Sequence, residues 1–165
     1  MSLTKKEKVV LAIYPNALGL GYALFESTQA LIYQQLIRVR PMCNGKCKSI
    51  LKKLMTDLRP DVVILEDTTC TSSRKRGRVM RLLKFITKQA KLRNMVLFKY
   101  SRNQIREVFS VYKAQTKYAI ACQIAEWFPK LKSKLPRPWK LGDAEGHNQG
   151  MFDAVSLGLT HYYLR

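Results

Sequence analysis

Few carboxylates are available to do chemistry in this chain, and the most suggestive stand at the ends of apolar runs. Glu66 closes the run VVILE, with Asp67 directly after it, and Asp153 lies near the start of MFDAVSLGLTHYYL. Side chains alternate along a strand, so Glu66 and Asp67 point to opposite faces and only one of them joins a given site. Glu66 is delivered to the C-terminal end of its strand, where α/β folds place ligands. Asp153 falls in the first turn of the helix that its segment predicts, where helix amides favour an anion. That placement also suits an ordinary helix-start aspartate. A third position is Tyr14, in VVLAIYPNALGLGYALFE. Many folds that process phosphate esters carry a metal-holding aspartate at the tip of such a first strand; here the tip is a phenol.

These positions need a sheet to gather them. Val9–Tyr14 is a nearly continuous apolar run, as suits a strand covered on both faces. Pro15-Asn16 turns the chain, Gly21–Phe25 returns, and Ala30–Arg40 gives a third strand of a meander. CKSILKKLMTDLR has helical spacing and stops at Pro60. DVVILED then reads as a crossover strand added in parallel. A long amphipathic helix opening at Ser72-Ser73 follows, then the strand MVLFKYS, helices over Arg102–Phe109 and Thr116–Phe128, and the terminal helix. The expected fold is α/β: a mixed five-stranded sheet of three meander and two crossover strands, with helices on both faces. Residues 1–165 read as a single domain, the usual size for one. A basic flexible loop is expected at about 129–150, where PKLKSKLPRPWKLGDAEGHNQG carries three prolines.

Charge limits the partners. Lys plus Arg number 30 against 11 Asp plus Glu, a formal balance of +19. A domain so basic is drawn to polyanions, nucleic acid foremost. No run approaches the roughly 18 apolar residues of a membrane span, and no signal segment is evident, so the expected location is cytoplasmic and no membrane partner is expected. Cys43 and Cys47 form a CxxxC without a second ligand pair at finger-like spacing. Arg74, Arg78, Arg81, Lys84, Lys88 and Lys91 recur at steps of three or four, giving the long helix a basic face opposite its apolar stripe. Lys130, Lys132, Lys134, Arg137 and Lys140 add a basic arm, and Trp139 either stacks on an exposed base or plugs its own loop. These are the expected nucleic-acid contacts, favouring shape over sequence.

Four segments, in order, resemble the RuvC-type Holliday-junction resolvases of the RNase H-like superfamily: AIYPNALGLGYALFE, VVILED, YSRNQIREVFSVYKAQTKYAIACQIAEWF and FDAVSLGLTHYY. The resemblance implies phosphodiester hydrolysis by two divalent ions, Mg²⁺ or Mn²⁺, held roughly 3.5–4 Å apart by acidic side chains. By position, Glu66 and Asp153 match catalytic and metal-holding carboxylates of that family. Its first aspartate falls on Tyr14, and a further acidic position falls on Gly150. A phenol is neutral at pH 7, with a pKa of about 10, and Gly150 has no side chain. The expectation is therefore a binder of branched or structured DNA, dimeric as the family resemblance implies, whose hydrolysis is weakened or lost. Two alternatives stand beside it. One is an active Mg-dependent junction endonuclease, with Asp143, Glu145 or His147 as substitute ligands rather than loop solvation. The other is a basic module that docks an acidic protein. His161 reads as a packed or surface histidine.

Overall fold

The computed structural model describes residues 7–69, 77–136, 138 and 148–165. The first strand, β1 (Val10–Pro15), is buried throughout because it has a neighbour on each side. The antiparallel β2 (Gly19–Phe25) pairs Val10 with Phe25 and Pro15 with Leu20. The parallel β4 (Val62–Glu66) pairs Val10 with Val62 and Ala12 with Ile64. The edges are β3 (Leu31–Arg38), antiparallel to β2, and β5 (Val96–Tyr100), parallel to β4, so the sheet order is β3-β2-β1-β4-β5. This is the expected mixed five-stranded sheet. The β1–β2 turn is closed by Asn16, whose side-chain oxygen accepts from the amides of Leu18 and Gly19 at 2.9 and 3.0 Å. Such a side-chain turn is what Asn supplies most readily.

Helices fill both faces. Against one lie α1 (Asn44–Leu58) and α2 (Gly77–Leu92), whose Leu51, Met55, Leu82 and Ile86 pack on Leu11, Ile13, Val63 and Leu65. Against the other lie α3 (Arg102–Ser110), α4 (Lys117–Trp127) and α5 (Gln149–Leu164), packed on Val10, Ala12, Val62 and Ile64. Odd and even positions of β1 and β4 thus feed different cores, as the pleat requires. From Gln149 to His161 every residue of α5 is buried, including Gln149, Asp153, Ser156 and Thr160, which recur at helical spacing. Its start sits directly on β2: a Cβ on Gly21 would lie 2.1 Å from the Gly150 carbonyl oxygen. Glycine at position 21 is what lets helix and strand backbones approach this closely.

Several expected boundaries move. The first helix begins at Asn44, ahead of CKSILKKLMTDLR, because its N-cap Cys43 makes no side-chain cap bond and leaves no signal. The terminal helix begins at Gln149, again with an N-cap, Asn148, that makes no side-chain bond. Asp153 is therefore its fifth residue and does not lie in the first turn, where the sequence pattern places it. Pro129 was expected to open a flexible loop. It instead occupies the first turn of a 3₁₀ helix, Pro129–Lys134, anchored by the buried Leu131. Proline is well suited to that position, since its missing N–H has no helical partner to lose. No helix among the described residues is long and apolar enough to cross a membrane.

Candidate functional site

The parallel strands β1, β4 and β5 end at one edge of the sheet. Tyr14, near the end of β1, shares the core beneath α5 with Val10, Ala12, Val62 and Ile64. Glu66, two residues beyond Ile64 on the same strand, takes the same face by alternation. Tyr14, Glu66 and Asp153 are all buried, at 5%, 7% and 2% exposure. Asp67 turns away, and its carboxylate accepts from the Thr69 hydroxyl at 2.7 Å and the Thr69 amide at 3.0 Å. Those two bonds hold its pKa below the usual carboxylate value.

Asp153 is enclosed by cations. Lys117 Nζ lies 3.3 Å from Asp153 Oδ2 and 3.4 Å from the Tyr14 hydroxyl. Arg102 Nη2 lies 3.8 Å from Asp153 Oδ1. Gln149 Nε2 donates to the same oxygen at 3.0 Å. Lys117 and Arg102 are the first residues of α4 and α3, helices without an acid in their first turns. A cation at a helix N-terminus opposes the helix dipole, so both positions are locally unfavourable and find their counter-charge in Asp153. Sequence reading missed Lys117, Arg102 and Gln149, yet a signal was present. Ser101 and Thr116 cap these helices through their side chains, Ser101 in a capping box with Gln104. A capping residue followed at once by Arg or Lys is a cation set against the dipole, and it invites the question of what anion it faces.

The two-ion chemistry implied by the family resemblance can be tested against these residues. Two carboxylates, Glu66 and Asp153, stand with two cations, Lys117 and Arg102, so their formal charges cancel. Tyr14 supplies a phenol in place of an anion. At Gly150 a Cβ would fall 2.5 Å from Asn16 Nδ2 and 3.1 Å from Leu36 Cδ1, so a side chain there would have to push these two side-chain ends aside. Among the described residues no cluster of three or more His, Cys, Asp or Glu is positioned to hold a metal ion. These residues do not fit a two-ion centre. Nη1 of Arg102, a donor, and Oε1 of Gln149, an acceptor, are both buried here without a hydrogen-bond partner among the described residues. Helix N-termini with cationic side chains are ready-made phosphate sites.

The expected nucleic-acid contacts divide into three groups. Arg81, Lys84, Lys88 and Lys91 are exposed on α2, and Lys132 and Lys134 are exposed on the 3₁₀ helix. Arg78 differs: it is half-buried and donates to the Asn16 carbonyl oxygen at 2.8 Å and to Asn44 Oδ1 at 3.3 Å. It ties α2 to the β1–β2 turn. Arg74, Arg137 and Trp139 lie outside the described residues, as do Lys140, Asp143, Glu145 and His147. Lys130, expected in a basic arm, donates to the Leu31 carbonyl oxygen at 3.0 Å and pins the 3₁₀ helix to β3.

His161 is a packed residue. Its Nδ1 is 2.8 Å from the Tyr100 hydroxyl, and its ring lies 4.8 Å from that of Phe98. Burial, and secondarily Arg165, lowers its pKa below the ordinary 6.5. The unfolded chain therefore binds more protons near that pH, so stability falls as the solution is acidified. The contribution is fully present above about pH 6.5 and is lost as pH falls toward the folded pKa. Melting curves over that window are expected to shift downward on acidification in the wild type and less so in His161→Gln; equal shifts would remove His161 as the source.

The sheet order and the helical layers on both faces match the fold of RuvC and of other Holliday junction resolvases. The structure of RuvC from Thermus thermophilus matches with a TM-score of 0.67 and 18% identity over 95% of each chain. The same protein in complex with a Holliday junction substrate matches at 0.66 and 19%, again over 95% of each. The fowlpox virus resolvase, solved with substrate Holliday junction DNA, matches at 0.54 and 17% over 94% of this chain and 99% of the other. No protein-family model and no curated protein sequence matches the chain. At these identities the likeness establishes the fold.

Proposed function

We propose that this protein binds branched DNA of the four-way-junction type and hydrolyses it weakly or not at all. The observation that carries the reading is the placement of Lys117, 3.3 Å from Asp153 and 3.4 Å from the Tyr14 hydroxyl. A side-chain cation stands among the positions that the family resemblance assigns to metal ligands. A phosphate brought to this edge meets Lys117, Arg102 and two helix N-termini without needing a divalent ion to bridge it to carboxylates. Two neighbours of the same fold were solved with Holliday junction DNA, which supports a branched polyanion over linear duplex. A homodimer is the matching assembly, because a four-way junction presents symmetry-related strands; sedimentation of the protein alone and with junction reads it directly.

The test is a binding titration against a four-way junction, a linear duplex of the same length and single strands, in EDTA and in Mg²⁺. Junction is expected to bind at least about tenfold more tightly than duplex, a difference of about 1.4 kcal/mol, with little change between the two buffers. Equal affinity for duplex, or binding that collapses in EDTA, would remove the proposal.

A further inference from the structure

The basic surface foreseen on α2 is only half of a larger one. Helix α1 packs beside α2 on the sheet face away from Tyr14 and Asp153, and it exposes Lys46, Lys48, Lys52 and Lys53. The helices join their charge across one ring: Lys48 and Lys52 Nζ lie 5.4 and 6.0 Å from the Phe85 centroid. On α2 the exposed Arg81, Lys84 and Lys88 surround that ring in sequence. Asp57 is the acid on α1, and α2 has none. Among the described residues, the ion pairs lie at Asp153 and none involves these helices.

This arrangement brings like charges close together. Lys48 with Lys52, and Lys84 with Lys88, are like charges four apart on a helix, which destabilise it. Packing the two helices side by side adds repulsion between them. A second copy of the same face would compound it, so a self-interface is disfavoured here. What relieves it is a polyanion with regularly spaced charge.

Orientation narrows the partner. The start of α2 is tied by Arg78 to Asn16, just past Tyr14 at the candidate site. Its end leads through the turn into β5, where the Val96 amide bonds the Asp61 carbonyl oxygen at the opposite edge of the sheet. The helix therefore runs away from the site edge for 16 residues, about 24 Å at 1.5 Å per residue. That length corresponds to about seven base pairs of duplex.

We propose that the α1–α2 face cradles one duplex arm of the branched DNA, with the branch point at the edge holding Tyr14, Glu66 and Asp153. This rests on the junction reading above and adds which surface holds an arm. Single strands or an acidic protein would not require a straight run of this length.

The experiment compares wild type with two double variants, Lys48→Gln/Lys52→Gln and Lys84→Gln/Lys88→Gln, by salt-dependent binding to junctions and to linear duplex. All four side chains are exposed, and unchanged melting temperatures establish that the variants fold. Each pair is expected to lower the slope of log affinity against log salt by about two, from about 0.9 per phosphate contact. Trimming the junction arms below about seven base pairs is expected to weaken wild type more than either double variant. Unchanged slopes, or equal sensitivity to arm length in all three proteins, would overturn the proposal. So would displacement of junction by polyglutamate at matched charge. If wild type binds duplex as well as junction while the slopes still fall, the junction reading fails and the duplex-binding face stands.

Discussion

A four-way DNA junction mixed with the wild-type protein is expected to be cut no faster in Mg²⁺ or Mn²⁺ than in EDTA. Metal-ion catalysis at a phosphodiester is worth several kcal/mol of transition-state stabilisation. Losing about 4 kcal/mol of it slows the reaction about a thousandfold, at 1.36 kcal/mol per decade. The expected loss rests on three features of this chain. Tyr14 brings no anionic oxygen to the strand tip. Asp153 is already engaged by Lys117 at 3.3 Å and Arg102 at 3.8 Å, so an incoming cation must displace side-chain cations first. Gly150 supplies no acid, and the side-chain ends of Asn16 and Leu36 would have to shift to admit one. Restoring the aspartate alone is therefore a weak remedy. In Tyr14→Asp the new carboxylate faces Lys117 and is expected to pair with it, raising cleavage by no more than about tenfold, or about 1.4 kcal/mol. Brisk metal-dependent cutting by the wild type would overturn this expectation and turn attention to Asp143, Glu145 and His147.

The second large effect concerns stability, and its sign discriminates. In a site built to gather carboxylates around metal ions, the acids repel one another when no ion is present, so neutralising one commonly stabilises the protein. Here the carboxylate at 153 is the shared counter-ion of two cations. Its side chain is 3% exposed, and those of Arg102 and Lys117 are 13% and 21% exposed. Breaking a fully buried pair costs about 3–5 kcal/mol; with partners that reach solvent, about 2 kcal/mol is the reasonable figure after screening. For a chain of this length that is a fall of roughly 4–8 °C in melting temperature. Asp153→Asn is expected to show it, since the amide keeps the volume and loses the charge. Lys117→Met is expected to destabilise as well, and the double variant by less than the sum, because the two share one interaction. A rise in melting temperature for Asp153→Asn would mean that repulsion, and not pairing, governs this edge.

Both expectations turn on Lys117, which sequence reading passed over. It sits in a helix whose cap was visible as Thr116, but its partner lies 36 residues away. Arg78 is a parallel case. Its helical spacing put it on the basic face of α2, yet Asn16, 62 residues earlier, draws it into a structural tie. Both cations keep company that no periodicity in their own segment encodes. The same holds for α1, whose lysines gain meaning only beside Phe85 of α2.

The chain alone determined the order of strands and helices, the division of Glu66 from Asp67, and the excess of positive charge. Those follow from repeats of two and of three to four along neighbouring residues, and from simple counting. Only the tertiary structure decided that the acid in α5 is matched by cations from α3 and α4, that Gly150 lies against the side chains of Asn16 and Leu36, and that α1 extends the basic face of α2. The reason is physical: contacts between segments depend on how the faces of the sheet and helices meet in space, and that meeting is settled by packing across the whole core.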